Sequence, residues 1–320
     1  MDEIRLAFIG VNDWATHYHL PTLTQLRVAQ NVKVCGIWNR TKAKAIDAAQ
    51  RYGISNVYES LDDAANDPAV HGFVVVIHQS VVGSVIERIL PRQIPFLCEK
   101  PPGNDTRESR GLAQRVDVPN VVAFNRRYSP MNQRYKEMVD CIRDVYFAEC
   151  HFYRNERLYK NFVVATGIHG INYLEFLFGE IAHIRTEKWP NPGNDTFLWV
   201  SSIRFASGMR GLIKFFPCSG SSVERYEVHS RDWSAYFNSP QHFTTDIPGR
   251  IILYKEAKIE QVIEGSSGED PLVESGYINI YTDFLKTIRG NSPTVSNFAN
   301  SWRSMAVAES IEKGVPLPQQ

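Results

Sequence analysis

The stretch that decides the fold is Ile4-Arg5-Leu6-Ala7-Phe8-Ile9-Gly10-Val11-Asn12-Asp13-Trp14-Ala15: a mostly apolar strand that ends on glycine and turns toward a helix. Outward from it the alternation repeats. Residues 20–27 read as helix and 32–38 as strand. Residues 41–52 read as an alanine-rich helix, with Thr41 at its cap and Gly53 as its stop. Residues 57–58 make a minimal third strand, and Ser60 caps a short acidic helix that ends before Pro68. Residues 72–77, Gly-Phe-Val-Val-Val-Ile, are apolar on both faces, as a central parallel strand requires. Helices follow at 81–90 and 106–116, strands at 95–99 and 121–124. Strand–helix alternation of this kind predicts a doubly wound parallel sheet of the Rossmann type.

The texture changes near residue 145. Residues 145–154 alternate in period two, and one helical stretch follows at 163–178. Strand runs then cover 181–189, 196–205, 209–216, 224–230, 234–238, 251–255 and 259–263, with a hairpin at Ala206-Ser207-Gly208. Two helical pieces close the chain, at 276–289 and 297–313. The expected fold class is α/β: an N-terminal Rossmann doubly wound sheet plus a C-terminal α+β domain with a large, mostly antiparallel open sheet. The expected boundary separates a dinucleotide-binding domain, 1–125, from a substrate-binding and oligomerisation domain, 126–320, whose last helix can pack back on the first.

The length of 320 residues suits about two domains. Lys and Arg number 35, as do Asp and Glu, so bulk charge points to neither nucleic acid nor a membrane surface. The 5 cysteines are scattered, without a C-x-x-C pair, so no metal site is expected, and buried free thiols in a reducing compartment are. The first residues lack a basic segment leading into an apolar one, and no apolar stretch approaches the ~20 residues of a membrane span. A cytoplasmic protein is the expectation.

After the first strand, a dinucleotide fingerprint would read G-x-G-x-x-G/A. Gly10 and Ala15 fit it, and Asn12 stands at the second glycine. The candidate phosphate cradle is Gly10, Val11, Asn12, Trp14 and Ala15. The second strand ends in Asn39-Arg40-Thr41-Lys42, where an NAD site places a carboxylate. A neutral Asn39 with cations at Arg40 and Lys42 suits a 2′-phosphate, which favours NADP with NAD as the alternative. The loop after the 72–77 strand adds Ile77 and His78, and the end of the sixth strand adds Asn125 and Arg126. Glu99-Lys100-Pro101 follows a buried strand at the carboxyl edge, where Lys100 can meet a nicotinamide ring and a substrate oxygen. In Gly167-Ile168-His169-Gly170-Ile171-Asn172, His169 and Asn172 share a helix face. Tyr153 and Asn155 follow the first strand of the second domain and are candidate substrate contacts. Trp189, Trp199, Trp233 and Trp302 are assigned to core or interface.

With these motifs in place, the chain resembles the glucose–fructose oxidoreductase / inositol dehydrogenase / MocA (Gfo/Idh/MocA) family over nearly its whole length. His19-Leu20-Pro21-Thr22-Leu23 is similar to the family's H-x-P-x-L entry helix, and Trp14 fits the subgroup with G-x-G-x-W-G. Phe96-Leu97-Cys98-Glu99-Lys100-Pro101 resembles the E-K-P segment, the most specific match. Phe124-Asn125-Arg126-Arg127-Tyr128-Ser129-Pro130 is similar to R-R-F/Y-x-P, and Gly167-Ile168-His169 with Asn172 to G-x-H-x-x-D. Ile280-Tyr281-Thr282-Asp283-Phe284 and the tail Gly314–Pro318 fit the closing pattern.

The resemblance implies that Lys100 touches nicotinamide and substrate, that Glu99 reaches cofactor hydroxyls, and that a cis Lys100–Pro101 bond is available. It implies His169 as acid/base or substrate-orienting group. It also implies a substrate pocket on one side of the open sheet, with a homodimer or homotetramer interface on the other. The departures are Ala165, where the family often has aspartate, Asn172 for the following aspartate, and Gln79 and Gly83 in the fourth-strand loop. The function implied is an NAD(P)-dependent oxidoreductase acting on a carbonyl or alcohol of a sugar-like substrate, with a nucleotide-sugar ketoreductase within that class. The alternatives are a non-catalytic cofactor- or sugar-sensing regulator and an imine reductase.

Overall fold

The computed structural model describes residues 3–241, 243–266, 268, 270–290 and 294–318. The chain divides into two compact units, Met1–Asn125 with Gly276–Trp302, and Arg126–Ser275 with Arg303–Gln320.

In the first unit, β1 (Ile4–Ile9), β2 (Val32–Trp38), β3 (Gly72–Val75), β4 (Phe96–Cys98) and β5 (Asn120–Val122) form a sheet in the order β2-β1-β3-β4-β5. Every pairing in it is parallel. β3, β4 and β5 are buried at every position, as strands covered on both faces must be. The connecting helices are α1 (Leu20–Leu26), α2 (Lys42–Tyr52), α3 (Leu61–Asn66), α4 (Val82–Ile89) and α5 (Thr106–Arg115). Ser60 and Asp63 form a reciprocal capping box at the head of α3. Gly53 ends α2 at φ 66°, the left-handed conformation glycine takes at little cost.

One local expectation is corrected and another refined. The third strand at 57–58 is a single bridge, Ile37 to Val57. The Tyr58 ring fills the flank of β2 instead: a Cβ on Gly36 would lie 2.4 Å from it. Thr41 stands at the N-cap of α2 in an extended conformation, but its side chain makes no cap hydrogen bond. The helix Tyr277–Ile288 lies against the start of β3, where a Cβ on Gly72 would meet Ile288 at 2.8 Å and Phe284 at 3.2 Å. Beyond it, Ser296 pairs with the main chain of Val122 on the free edge of β5.

The second unit is built on one sheet of β6 (Phe147–Tyr153), β7 (Ile181–Pro190), β8 (Phe197–Phe205), β9 (Arg210–Phe216), β10 (Val223–His229), β11 (Trp233–Asn238), β12 (Arg250–Lys255) and β13 (Lys258–Glu264). Their order is β13-β12-β11-β10-β6-β9-β8-β7. Every pair is antiparallel except β6 with β9. Burial alternates along β6 and β9, so the sheet has one covered face. Helix α6 (Pro130–Asp140), absent from the sequence reading, and α7 (Ile168–Phe178) belong to this unit. α7 sits on the covered face. A Cβ on Gly167 would lie 2.8 Å from Phe215, and one on Gly170 would lie 2.9 Å from Cys150 Sγ and 3.0 Å from Phe152. Glycine at these two positions lets helix and sheet approach closely. Among the described residues, no helix is long and apolar enough to cross a membrane, and no group of His, Cys, Asp and Glu could hold a metal ion.

Candidate functional site

In the first unit the strand order reverses at β1, with β2 on one side and β3 on the other. Open α/β sheets take ligands outside the carboxyl ends of the strands at such a point. Gly10 leaves β1 at φ +97°, and a Cβ there would lie 2.2 Å from the Val76 carbonyl oxygen, so glycine alone makes this turn. The Val11 N–H donates to Asn39 Oδ1 at 2.8 Å, which ties the end of β1 to the end of β2. Asn39 Nδ2 donates onward to the Thr41 carbonyl at 3.0 Å. Asn12 Oδ1 accepts the Ala15 N–H at 2.9 Å, and its Nδ2 donates to the Val76 carbonyl at 3.3 Å. The carboxamide that replaces the second fingerprint glycine is therefore bonded within its own turn. A tight turn, a fully buried Ala15 and a helix head beyond them fit the pyrophosphate of a dinucleotide.

Arg40 and Lys42 differ in their surroundings. Lys42 Nζ is 2.6 Å from both oxygens of Glu59. Arg40 is exposed and, among the described residues, has no carboxylate at ion-pair distance. Ile77 lies beside the Gly10 turn, with Cγ2 2.6 Å from where a Gly10 Cβ would be. His78 is exposed, its Nδ1 2.8 Å from Ser80 Oγ.

Lys100 follows β4. Its Nζ is 6.0 Å from the centre of the Trp14 ring, and the Lys100–Pro101 bond is cis. Its main-chain N–H donates to Glu99 Oε2 at 3.1 Å. The Glu99 carboxylate is buried among protein donors: Oε1 accepts from His19 Nε2 at 2.8 Å and from the Tyr277 hydroxyl at 3.3 Å. Tyr277 in turn accepts the Trp14 indole N–H at 2.6 Å, and Tyr281 Oη lies 2.8 Å from His19 Nδ1. Sequence reading places His19 and Tyr281 in family-like segments without a role at the site, and does not single out Tyr277. Their partners lie 80 to 263 positions away, beyond any local spacing signal.

Asn125 is buried at the end of the first unit, and Arg126 opens the second. Arg126 is not on a surface. Its guanidinium bonds Glu224 at 2.5 and 3.0 Å, and Arg154 shares the same carboxylate. The two guanidiniums hold the buried Glu224 carboxyl below its ordinary range against the opposing effect of burial.

His169 stands in the first turn of α7, buried on the covered face. Asn172 shares its side of the helix but is engaged by protein. Oδ1 accepts from Arg127 Nε at 2.7 Å, and Nδ2 donates to Ser304 Oγ at 2.9 Å. Ser304 donates to Glu175 Oε2 at 2.6 Å. Burial pushes the Glu175 carboxyl up to about 7, with the Ser304 bond and Arg127 opposing it, and pushes Arg127 down to about 10.

Tyr153 is separated from His169. It alternates with the covered Phe152 and stacks on Phe216 at 4.5 Å, on the face turned away from α7. The period of two thus puts Tyr153, a candidate substrate contact, on the opposite face of β6 from the one α7 covers. Asn155 is exposed beyond β6, its main-chain N–H on Ser222 Oγ and its Nδ2 on the Ser219 carbonyl.

The model of the Gfo/Idh/MocA oxidoreductases, an oxidoreductase family with an NAD-binding Rossmann fold, matches residues 4–125. An uncharacterized protein of Saccharomyces cerevisiae is 28% identical over 150 residues, a match spanning 45% of this chain and 42% of that one. Inositol 2-dehydrogenase 2 of Mycolicibacterium vanbaalenii is 27% identical over 252 residues, covering 73% of this chain and 72% of that one. The solved levoglucosan dehydrogenase, in complex with NADH and levoglucosan, superimposes with a TM-score of 0.84 at 16% identity, over 99% of this chain and 100% of that one. That last likeness is one of fold.

Proposed function

We propose that this chain, whose residues 4–125 match the Gfo/Idh/MocA oxidoreductase family, is an NADP-preferring dehydrogenase or reductase of a sugar-like alcohol or carbonyl. The observation that carries the reading is Lys100 at the carboxyl end of β4, beside Trp14 at the Gly10 turn. A bound nicotinamide supplies or accepts the hydride. In the reductive direction the Lys100 ammonium hydrogen-bonds the substrate oxygen, steadies the negative charge that develops there and donates the proton; in the oxidative direction its amine takes that proton. His169 is the second acid–base candidate. Asn172 is not put forward as a substrate contact, because both ends of its carboxamide bond protein groups.

Preference for NADP rests on Arg40, exposed at the end of β2 with Asn39 where a carboxylate would repel a 2′-phosphate. Lys42 adds less, being neutralised by Glu59. Association of copies through the open face of the second sheet, where Tyr236 and Val262 are exposed, belongs to the same reading, as does a reducing cytoplasm for the free cysteines.

Two features favour a second reading, a sensor without chemistry: Ala165 stands where the resembled family often has aspartate, and Asn172 is engaged by Arg127 and Ser304. Titration with NADPH and NADH, followed by turnover on a panel of sugars, polyols and nucleotide-linked sugars, separates them. Tighter NADPH binding with turnover supports the oxidoreductase. Binding without turnover supports the sensor, and binding of neither coenzyme overturns both.

A further inference from the structure

Four side chains of the first unit converge on Glu99. Burial holds the Tyr281 phenol far above its ordinary range, and its hydroxyl lies 2.8 Å from His19 Nδ1. His19 Nε2–H then donates to Glu99 Oε1. From the other side, the Trp14 indole N–H donates to the Tyr277 oxygen, and the Tyr277 hydroxyl donates to the same Oε1. Both branches end on a single carboxylate oxygen. The other oxygen of that carboxylate accepts the main-chain N–H of Lys100.

The backbone is shaped for this convergence. Residues Ala15–His19 form a π-helical turn between the Gly10 loop and α1. In an α-helix, residues five apart point about 140° away from each other. The wider turn brings Trp14 and His19 toward one side, and both meet Tyr277: Trp14 through its indole N–H, and His19 edge-on with ring centres 5.2 Å apart. Tyr18, inside the same turn, stacks on Tyr277 at 4.9 Å. One tyrosine from the helix 277–288 thus fixes the aromatic ring beside Lys100 Nζ and the carboxylate that holds the Lys100 main chain.

Resting on the reading of Lys100 as the catalytic residue, we infer that Tyr277 and His19 are positioning residues for it, acting through Glu99 and Trp14. Tyr277 restrains Lys100 from two sides at once, and His19 supplies the second hydrogen bond to the carboxylate. Removing one hydroxyl releases both restraints without opening a cavity.

The test uses Tyr277→Phe, which keeps the ring and its stacking, and His19→Gln, which keeps a donor near the place of Nε2. The first readout needs no substrate. The coenzyme-free protein is treated with trinitrobenzenesulfonate, and labelling of Lys100 and of the exposed Lys44 is followed by peptide mass spectrometry across pH. Tyr277→Phe is expected to change the Lys100 rate by about tenfold, the scale of a lost hydrogen bond to a charged group, with Lys44 unmoved. His19→Gln is expected to restore most of the wild-type rate, relative to His19→Ala.

The second readout is turnover in a double-mutant cycle. Tyr277→Phe lowers kcat with KM nearly unchanged, and has no further effect once Lys100 is alanine, because its influence passes through that lysine. An unchanged Lys100 labelling rate in Tyr277→Phe overturns the positioning role, as does a Tyr277 effect that persists in full without Lys100. Failure of the catalytic reading shows differently, as turnover that survives Lys100→Ala whatever the labelling does.

Discussion

Glu99 and Glu175 are both buried carboxylates, one in each unit, and the two are handled in opposite ways. Glu99 collects a histidine N–H, a tyrosine O–H and a main-chain N–H. Glu175 has the Ser304 hydroxyl and the more distant charge of Arg127, and its carboxyl is pushed up to about 7. The difference follows from what each carries. Glu99 precedes Lys100, the residue proposed to move the proton, and in that reading its donors act as a brace. Glu175 lies on the helix that carries His169, at the end of a relay through Ser304 and Asn172 to Arg127, and that relay responds to pH. Glu224 is a third solution, with two arginines on one carboxylate.

The largest stability effect is expected at Glu224. Glu224→Gln leaves Arg126 and Arg154 buried without their shared counter-charge, at a cost of about 3–5 kcal/mol in urea unfolding. A loss below about 1 kcal/mol would show that the arginines find other partners.

Glu175 sharpens the contrast through pH. Its folded-state value lies above its unfolded one, so its favourable contribution is complete below about pH 4.5 and fades as pH rises through about 7. The fall amounts to about 3 kcal/mol, at about 1.4 kcal/mol for each pH unit between those values. Thermal melts of the wild type should therefore lose stability between pH 5 and pH 8, and Glu175→Gln should flatten that slope. Equal slopes would break the comparison with Glu99.

The smallest effect is expected at the coenzyme. Arg40→Ser should weaken NADPH binding by about tenfold and leave NADH nearly unchanged, since it removes one charge-assisted contact to a phosphate. Equal weakening of both would place Arg40 elsewhere.

The fold was legible because its signals are local. An apolar run ending at Gly10, a two-sided apolar β3 and period-two strands after residue 145 each declare themselves within a few residues. Helix α6 was missed because its buried residues are Asn132, Tyr135 and Val139, which leave no apolar stripe to read. The strand at 57–58 was over-read: two apolar residues cannot hold a ladder, and Tyr58 serves Gly36 instead. Within the candidate site, Gly10 and Lys100 stood out by their place at strand ends. Asn12 departs from the fingerprint, and only its bonds to Ala15 and Val76 show that it closes the turn. Parity along β6 told that Tyr153 and Phe152 face opposite ways, but which face receives α7 is decided by Gly167 and Gly170 meeting distant strands. The brace around Glu99 left no trace in spacing, because tertiary packing alone brings residues 14, 19, 99, 277 and 281 together.

The most direct test of the central claim is turnover and coenzyme binding of Lys100→Ala beside the wild type, on whichever substrate the panel yields. With the proton donor gone and the Gly10 turn intact, kcat should fall by about 10²–10⁴ while NADPH affinity stays within about threefold. Turnover within about threefold of the wild type would contradict the account, because Lys100 would then not be the residue that moves the proton.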